Sequence, residues 1–222
     1  MVSRPRQLAL ALDHAESYAR DDFLSGPGNE AALKLIESWP DWPANAIALI
    51  GPEGSGKSHL AAIWAAASGA RTMSGRALSQ SGLPASLATG ALVVEEAAAA
   101  DERALFHLIN LAREERAFLL FTARKAPTVW AVTIADLGSR LRALPAVTLQ
   151  PPDDAMLGGV IIKLAADRQL VLDEGVVRYL STHIERSFAA ARAAVIALDN
   201  EALRQGRPPS RMLAAELFRD GD

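Results

Sequence analysis

The chain has 222 residues, a net charge of −3, half of its residues hydrophobic and no cysteine. That length suits one large domain, or a domain with a small companion, and leaves enough apolar residues for a sizeable core. The acidic balance argues against a chain that coats itself on nucleic acid, the lack of cysteine removes disulfide and thiolate chemistry, and no run reaches the about 18–20 apolar residues of a membrane span.

Residues 6–14, RQLALALDH, form an apolar strip in an otherwise tail-like segment, 1–20. Asp13, His14 and Glu16 interrupt any secretory pattern, so the expectation is a soluble cytoplasmic protein. In NEAALKLIESW, 29–39, Ala32, Leu33, Ile36 and Trp39 share a helical face. PDWPAN then turns the chain, and AIALI, 46–50, backed by glycine, reads as a buried strand. SHLAAIWAAAS continues as a helix, 71–74 as a short strand, and ALVVEE, 91–96, as a buried strand ending in acids. ERALFHLINLARE is an amphipathic helix with Leu105, Leu108, Ile109 and Ala112 inward. AFLLFTA, 117–123, is a strand, DLGSRLRAL a short helix and AVTLQ a last strand. Strands alternating with helices predict a parallel sheet covered on both faces. After PPDD, 151–154, the pattern turns helical: 154–168, 173–184, 187–205 and 210–219, with Asp173 and Ser210 as N-caps.

GPEGSGKS, 51–58, fits G-x-x-x-x-G-K-[ST] at every fixed position and lies between a buried strand and a helix. Gly51, Gly54 and Gly56 let the backbone of Glu53, Ser55 and their neighbours curl into a nest of N–H groups. Lys57 then reaches the β- and γ-phosphates, and Ser58 offers a hydroxyl to Mg²⁺. The plain alternative is a glycine-rich turn that binds nothing. Glu95 and Glu96 close a neighbouring strand, with Glu95 as a metal partner and the pair as water-handling acids; a solvated strand end is their plain reading. Thr122 ends the strand expected between the other two, with its polar tip near the terminal phosphate.

A phosphate loop, a five-stranded parallel α/β core and an all-α lid resemble the AAA+ ATPases, and the finer spelling resembles the family of the replication initiator DnaA. DDFLSGPGNEAA is similar to that family's lead-in segment, GKSHL carries its histidine, DLGSRL resembles its box VII, and IERSFAAARAAVIALD resembles its sensor 2 helix. The likeness runs over 22 to about 219. It implies that Leu24 and His59 join the loop around the nucleotide, that Arg186 reaches it from the lid, and that Arg140 is an arginine finger. Walker B carries glutamates where the family has two aspartates, TARK lacks the acidic sensor residue, and RLRAL lacks the aromatic-glycine ending. The first two departures imply weak or no intrinsic ATPase; the third leaves Arg142 beside Arg140 as a finger.

Nothing after the lid resembles the initiator's DNA-binding domain, which points to the shortened Hda branch of the family. QLALAL, 7–12, then resembles that branch's motif for the DNA polymerase sliding clamp, with Gln7 in a polar site and Leu8, Leu10 and Leu12 in an apolar pocket. The alternatives for the strip are packing on the protein's own core and pairing with a second copy as a homodimer. The expected organisation is a clamp-binding tail, 1–20, an AAA+ α/β nucleotide-binding domain, 21–150, and a helical lid, 151–222. The resemblance implies ADP or ATP with Mg²⁺ as cofactors, the clamp and DnaA as partners, DNA met only through the clamp, and no membrane. The implied role is regulatory inactivation of DnaA. The rival is an autonomous P-loop ATPase or nucleotide kinase, similar to a helicase loader.

Overall fold

A computed structural model describes residues 18–219. The chain divides into two compact units, one spanning Tyr18–Pro151 and the other comprising the described residues from Pro152 onward.

The first unit is built on a parallel sheet of five strands: β1 (Ala46–Ile50), β2 (Arg71–Ser74), β3 (Ala91–Glu95), β4 (Phe118–Ala123) and β5 (Ala146–Thr148), in the order β2-β3-β4-β1-β5. The three central strands are continuous apolar runs because both of their faces are covered. Successive side chains alternate between those faces. Along β1, Ala46, Ala48 and Ile50 enter one core while Ile47 and Leu49 enter the other. Leu119 and Phe121 oppose Leu120 on β4 in the same way, as Leu92 and Val94 oppose Val93 on β3. Each of the larger side chains, Val, Ile, Leu or Phe, contributes about 1.5–3 kcal/mol of burial, so the central strands anchor the sheet. The margins are different: β2 is largely exposed, and β5 has three residues, of which two are exposed.

Helices α1 (Glu30–Glu37) and α2 (Lys57–Ser68) cover one face through Leu33, Ile36, Leu60 and Trp64. Trp42 stacks on Trp64 at 4.8 Å between ring centroids. The other face is covered by a short α3 (Leu83–Ser86), α4 (Glu102–Glu114) and α5 (Ala135–Ala143), through Leu83, Leu105, Leu108, Leu137 and Leu141. Adjacent strands β1 and β4 therefore send their following helices, α2 and α5, to opposite faces. In open α/β sheets the crevice at such a switch point is where ligands bind.

Local differences from the sequence expectations have simple causes. Trp39 lies beyond the end of α1, although it still joins that core. The strand expected over 91–96 stops at Glu95, because Glu96 takes a left-handed conformation, φ 51°, and turns the chain. The last strand closes at Thr148, after which Gln150 donates to Gly28 O instead of to the sheet. Residues 75–86, for which the sequence analysis names no element, form two short 3-10 turns followed by α3.

The second unit holds α6 (Asp154–Asp167), α7 (Glu174–His183), α8 (Phe188–Gln205) and α9 (Arg211–Phe218). Each helix starts on a side-chain cap: Asp153, Asp173, Ser187 and Ser210 accept from backbone N–H groups of Met156, Val176, Ala190 and Leu213. Each cap is worth about 1 kcal/mol. Leu157, Ile161, Leu180, Val195, Leu198 and Leu213 form the shared core. A half-buried ion pair, Arg168 with Asp199 at 3.3 Å, joins the end of α6 to α8. No helix among the described residues is long and apolar enough to cross a membrane.

Candidate functional site: a phosphate loop at the switch point

The loop Gly51–Gly56 leaves β1 and enters α2 at the switch point. Gly54 and Gly56 have φ of 69° and 94°, a region that glycine occupies without penalty. A Cβ on Gly51 would meet Leu149 O at 2.7 Å and Ser55 Oγ at 2.8 Å. The loop thus closes on itself with no room for a larger residue. Gly51 N donates to Ala123 O at 3.1 Å, which ties the start of the loop to the end of β4. Ser55 is buried, and Ser58 is exposed in the first turn of α2.

Lys57 bends over this loop. Its Nζ donates to Gly51 O at 2.9 Å and Pro52 O at 2.6 Å. Burial pushes the ammonium below the ordinary lysine range, and the Arg124 guanidinium adds to the shift; Glu53 and Glu95 partly offset it. A cation held in place, partly stripped of water and facing a helix N-terminus is suited to an anion. Arg124, which follows β4, is ion-paired with Glu53 of the loop.

The acidic pair divides into two positions. Glu95 ends β3, in register with Ser74, and is half-buried. Glu96 is exposed, and its N–H donates to the buried Thr122 Oγ1 at 3.2 Å. Thr122 thereby holds the turn after β3 in place. Gly75 lies beneath that turn, close enough that a Cβ there would be 2.6 Å from Glu96 O.

Before the core, Asn29 is buried and braces the lead-in segment: its Oδ1 accepts from Gly26 N and its Nδ2 donates to Leu24 O. His59 sits edge-on to Tyr18 and Phe23, with Nε2 3.0 Å from Ala19 O. Leu24 and His59 thus belong to one arrangement at the start of the α/β unit.

Arg140 on α5 contacts Asp136 at 3.2 Å and lies over the Phe106 ring at 5.6 Å. Arg142 donates to Ser139 Oγ. Arg186 belongs to the helical unit, where it pairs with Asp154 at 2.8 Å. The structure therefore brings Glu53, Gly54, Ser55, Gly56, Lys57 and Ser58 together in one cradle, which Glu95 faces electrostatically. Gln7, Leu8, Leu10 and Leu12 lie outside the described residues. Among the described residues no cluster of three or more His, Asp or Glu side chains could hold a metal. A phosphate-bound Mg²⁺ needs only one or two protein ligands beside phosphates and water, which Ser58 and Glu95 are the right groups to supply. Sequence reasoning missed Arg124, Asn29 and Gly75; for Arg124 the available signal was its position directly after the β4 end.

No protein-family model matches the chain, and no curated protein sequence does. Solved structures do match. Domain III of the Thermotoga maritima replication initiation protein DnaA superposes with a TM-score of 0.75 at 19% identity, covering 91% of this chain and 96% of that one. The AMPPCP-bound DnaA of Aquifex aeolicus gives 0.67 at 17% identity, covering 84% and 66%. The Thermotoga maritima RuvB Holliday junction branch migration motor gives 0.74 at 17% identity, covering 91% and 72%. At these identities the likeness is one of fold: a five-stranded parallel sheet followed by helices, as in these DnaA and RuvB structures.

Proposed function

We propose that this chain is a nucleotide-binding AAA+ module that regulates replication initiation. The observation that carries the reading is the closed loop Gly51–Gly56 with Lys57 bent over it at the switch point. Backbone N–H groups of 53–58 and Lys57 would hold the phosphates of ADP or ATP, and Ser58 with Glu95 would hold Mg²⁺. The metal supplies charge neutralisation at the phosphates when bound. Leu24 of the lead-in segment and His59 of α2 would border the nucleotide.

The finer reading is of the Hda type. The strip Gln7–Leu12 tethers the protein to the DNA polymerase sliding clamp, which raises its local concentration near DnaA on newly copied DNA. Arg140 then enters the ATP site of a DnaA molecule and stabilises charge on the transferred phosphoryl; a finger supplied in trans is worth roughly 10³–10⁵ in rate. Two features support this: the DnaA-like fold, and the place of Arg140 on α5, where its side chain is partly exposed and contacts Asp136 and Phe106. The substitution of two aspartates by Glu95 and Glu96 agrees with weak turnover by the chain itself. The test is ATP hydrolysis by DnaA with clamp loaded on DNA, with and without this protein. Stimulation that needs both clamp and protein supports the reading; none refutes the regulatory role. The autonomous-ATPase alternative draws on Glu95, a carboxylate that acts on Lys57. Steady-state turnover by the purified protein alone, independent of clamp and DnaA, would favour it.

A further inference from the structure

The helix that carries Arg140 starts differently from its neighbours. α4 and the four helices of the second unit each open on their own Asp or Ser, whose side chain accepts from a backbone N–H. The N-cap of α5 is Ile134, whose side chain can accept nothing. A helix start leaves backbone N–H groups in need of acceptors. Here the acceptor comes from another helix. Glu102, at the start of α4, accepts from Ile134 N through Oε1 and from the Thr133 hydroxyl through Oε2, the latter at 3.0 Å. It does from outside what the glutamate of a capping box does from within. Asp101 caps α4 by accepting from Ala104 N at 2.9 Å, so Glu102 is itself presented from a fixed helix end. The bond from Ile134 N–H holds the Glu102 carboxyl below the ordinary glutamate range.

Two links carry this anchor to Arg140. The segment that Glu102 holds leads directly into Ala135 and Asp136, and Asp136 Oδ2 accepts from Arg140 Nε at 3.3 Å and from Nη2 at 3.2 Å. That contact joins residues four apart and depends on a helical first turn of α5. The second link is α4 again. Phe106 lies one turn after Glu102 on the same face, and its ring centroid is 5.6 Å from the Arg140 guanidinium. α4 thus grips α5 both at its start and under Arg140. An arginine has many rotamers to lose, and a misplacement of about 1 Å at a reacting group can cost about 100-fold in rate.

We propose that Glu102 is a positioning residue: by holding the start of α5 it keeps Asp136 in place to orient Arg140 for the nucleotide of a partner molecule. This rests on the reading of Arg140 as a finger in trans. Glu102 touches no nucleotide and acts only through Arg140.

The test titrates the full chain, parent or variant, against a limiting amount of ATP-bound DnaA with clamp loaded on DNA. It separates the plateau rate of hydrolysis from the protein concentration that gives half of it. Glu102→Ala removes both acceptors, and its plateau is expected to fall about 10–100-fold at an unchanged half-saturating concentration. A merely destabilised protein behaves otherwise: fewer molecules are competent, so more protein is needed to reach the same plateau. Glu102→Gln keeps an oxygen for Ile134 N–H and offers an N–H to the Thr133 oxygen, and it is expected to restore the parental plateau. Thr133→Val deletes one of the two bonds, leaves Glu102 in place and is expected to lose part of the plateau, which keeps the test open if Glu102→Ala does not fold. A parental plateau in both Glu102→Ala and Thr133→Val, a change confined to half-saturation, or an equal loss in Glu102→Gln would overturn the proposal; if Arg140→Ala still abolishes stimulation, the finger reading stands without it. A parental plateau in Arg140→Ala would overturn the finger reading, and this proposal with it.

Discussion

Replacing Gly75 by alanine tests whether the acidic end of β3 is as tightly held as its contacts imply. The new Cβ would stand 2.6 Å from Glu96 O and 3.2 Å from both Glu96 C and Ala97 Cα. Relaxed carbon contacts lie near 3.5–4.0 Å, so the facing turn must retreat by about 0.5–1 Å. The obstructing atoms are backbone, so no side chain can swing aside. The turn itself is committed: Glu96 is left-handed at φ 51°, its N–H donates to Thr122 Oγ1 at 3.2 Å, and its carbonyl accepts from Ala99 N at 2.8 Å. The Thr122 bond is already at the long end of the normal range, and a retreat of this size breaks it. Overpacking costs about 1–3 kcal/mol and the lost bond about 1 more, together about 2–4 kcal/mol. Urea unfolding followed by tryptophan fluorescence reports on this unit directly, because Trp42 and Trp64 stack within it. A loss below about 0.5 kcal/mol, the range of ordinary surface changes, would show that the turn yields freely and that Thr122 does not hold it.

Other outcomes are expected from the site. Lys57→Ala should abolish the rise in melting temperature that ADP produces in the parent, since a ligand stabilises only a state that binds it; an equal rise in both proteins would remove the loop from the binding site. Arg140→Ala should leave folding, ADP affinity and clamp binding near parental values and remove stimulation of DnaA hydrolysis; loss of the variant's own nucleotide would make Arg140 a contact within its own chain. Gln7→Ala combined with Leu8→Ala should cost about 1.5–3 kcal/mol of leucine burial and about 1 kcal/mol of hydrogen bonding, so that clamp binding falls below detection by surface plasmon resonance at unchanged melting temperature. Unchanged affinity, or a large drop in melting temperature, would assign the strip to the protein's own core or to a contact between copies.

The central strands were readable because burial on two faces demands uninterrupted apolar runs, as in AIALI and FLLFTA, and the loop because close backbone approach to phosphate demands glycines at fixed spacing. Asp173 and Ser210 were readable as caps, since a side-chain acceptor three residues before a helical N–H is a local arrangement. What escaped depends on residues far apart in the chain. The end of β3 is decided by Gly75 and Thr122, distant from Glu96 in sequence, and nothing near ALVVEE announces the turn. The Arg124–Glu53 pair is likewise invisible until β4 is set beside β1. The segment 75–86, which follows β2 at the margin of the sheet, escaped because its elements are three or four residues long, and Leu78 and Leu83 enter the core from them singly.

That margin bears on how copies of this protein could meet. An edge strand is a template for a second chain in proportion to the row of free backbone groups it displays. Here the row is brief on both sides: β2 is RTMS, with Arg71 reaching away to Ala85 O, and β5 is AVT. Neither offers enough ladder for sheet-to-sheet aggregation, even though the strands between them are among the most apolar in the chain. Among the described residues, the fold therefore places its stickiest sequence inside the sheet, away from the edges that a second copy could extend.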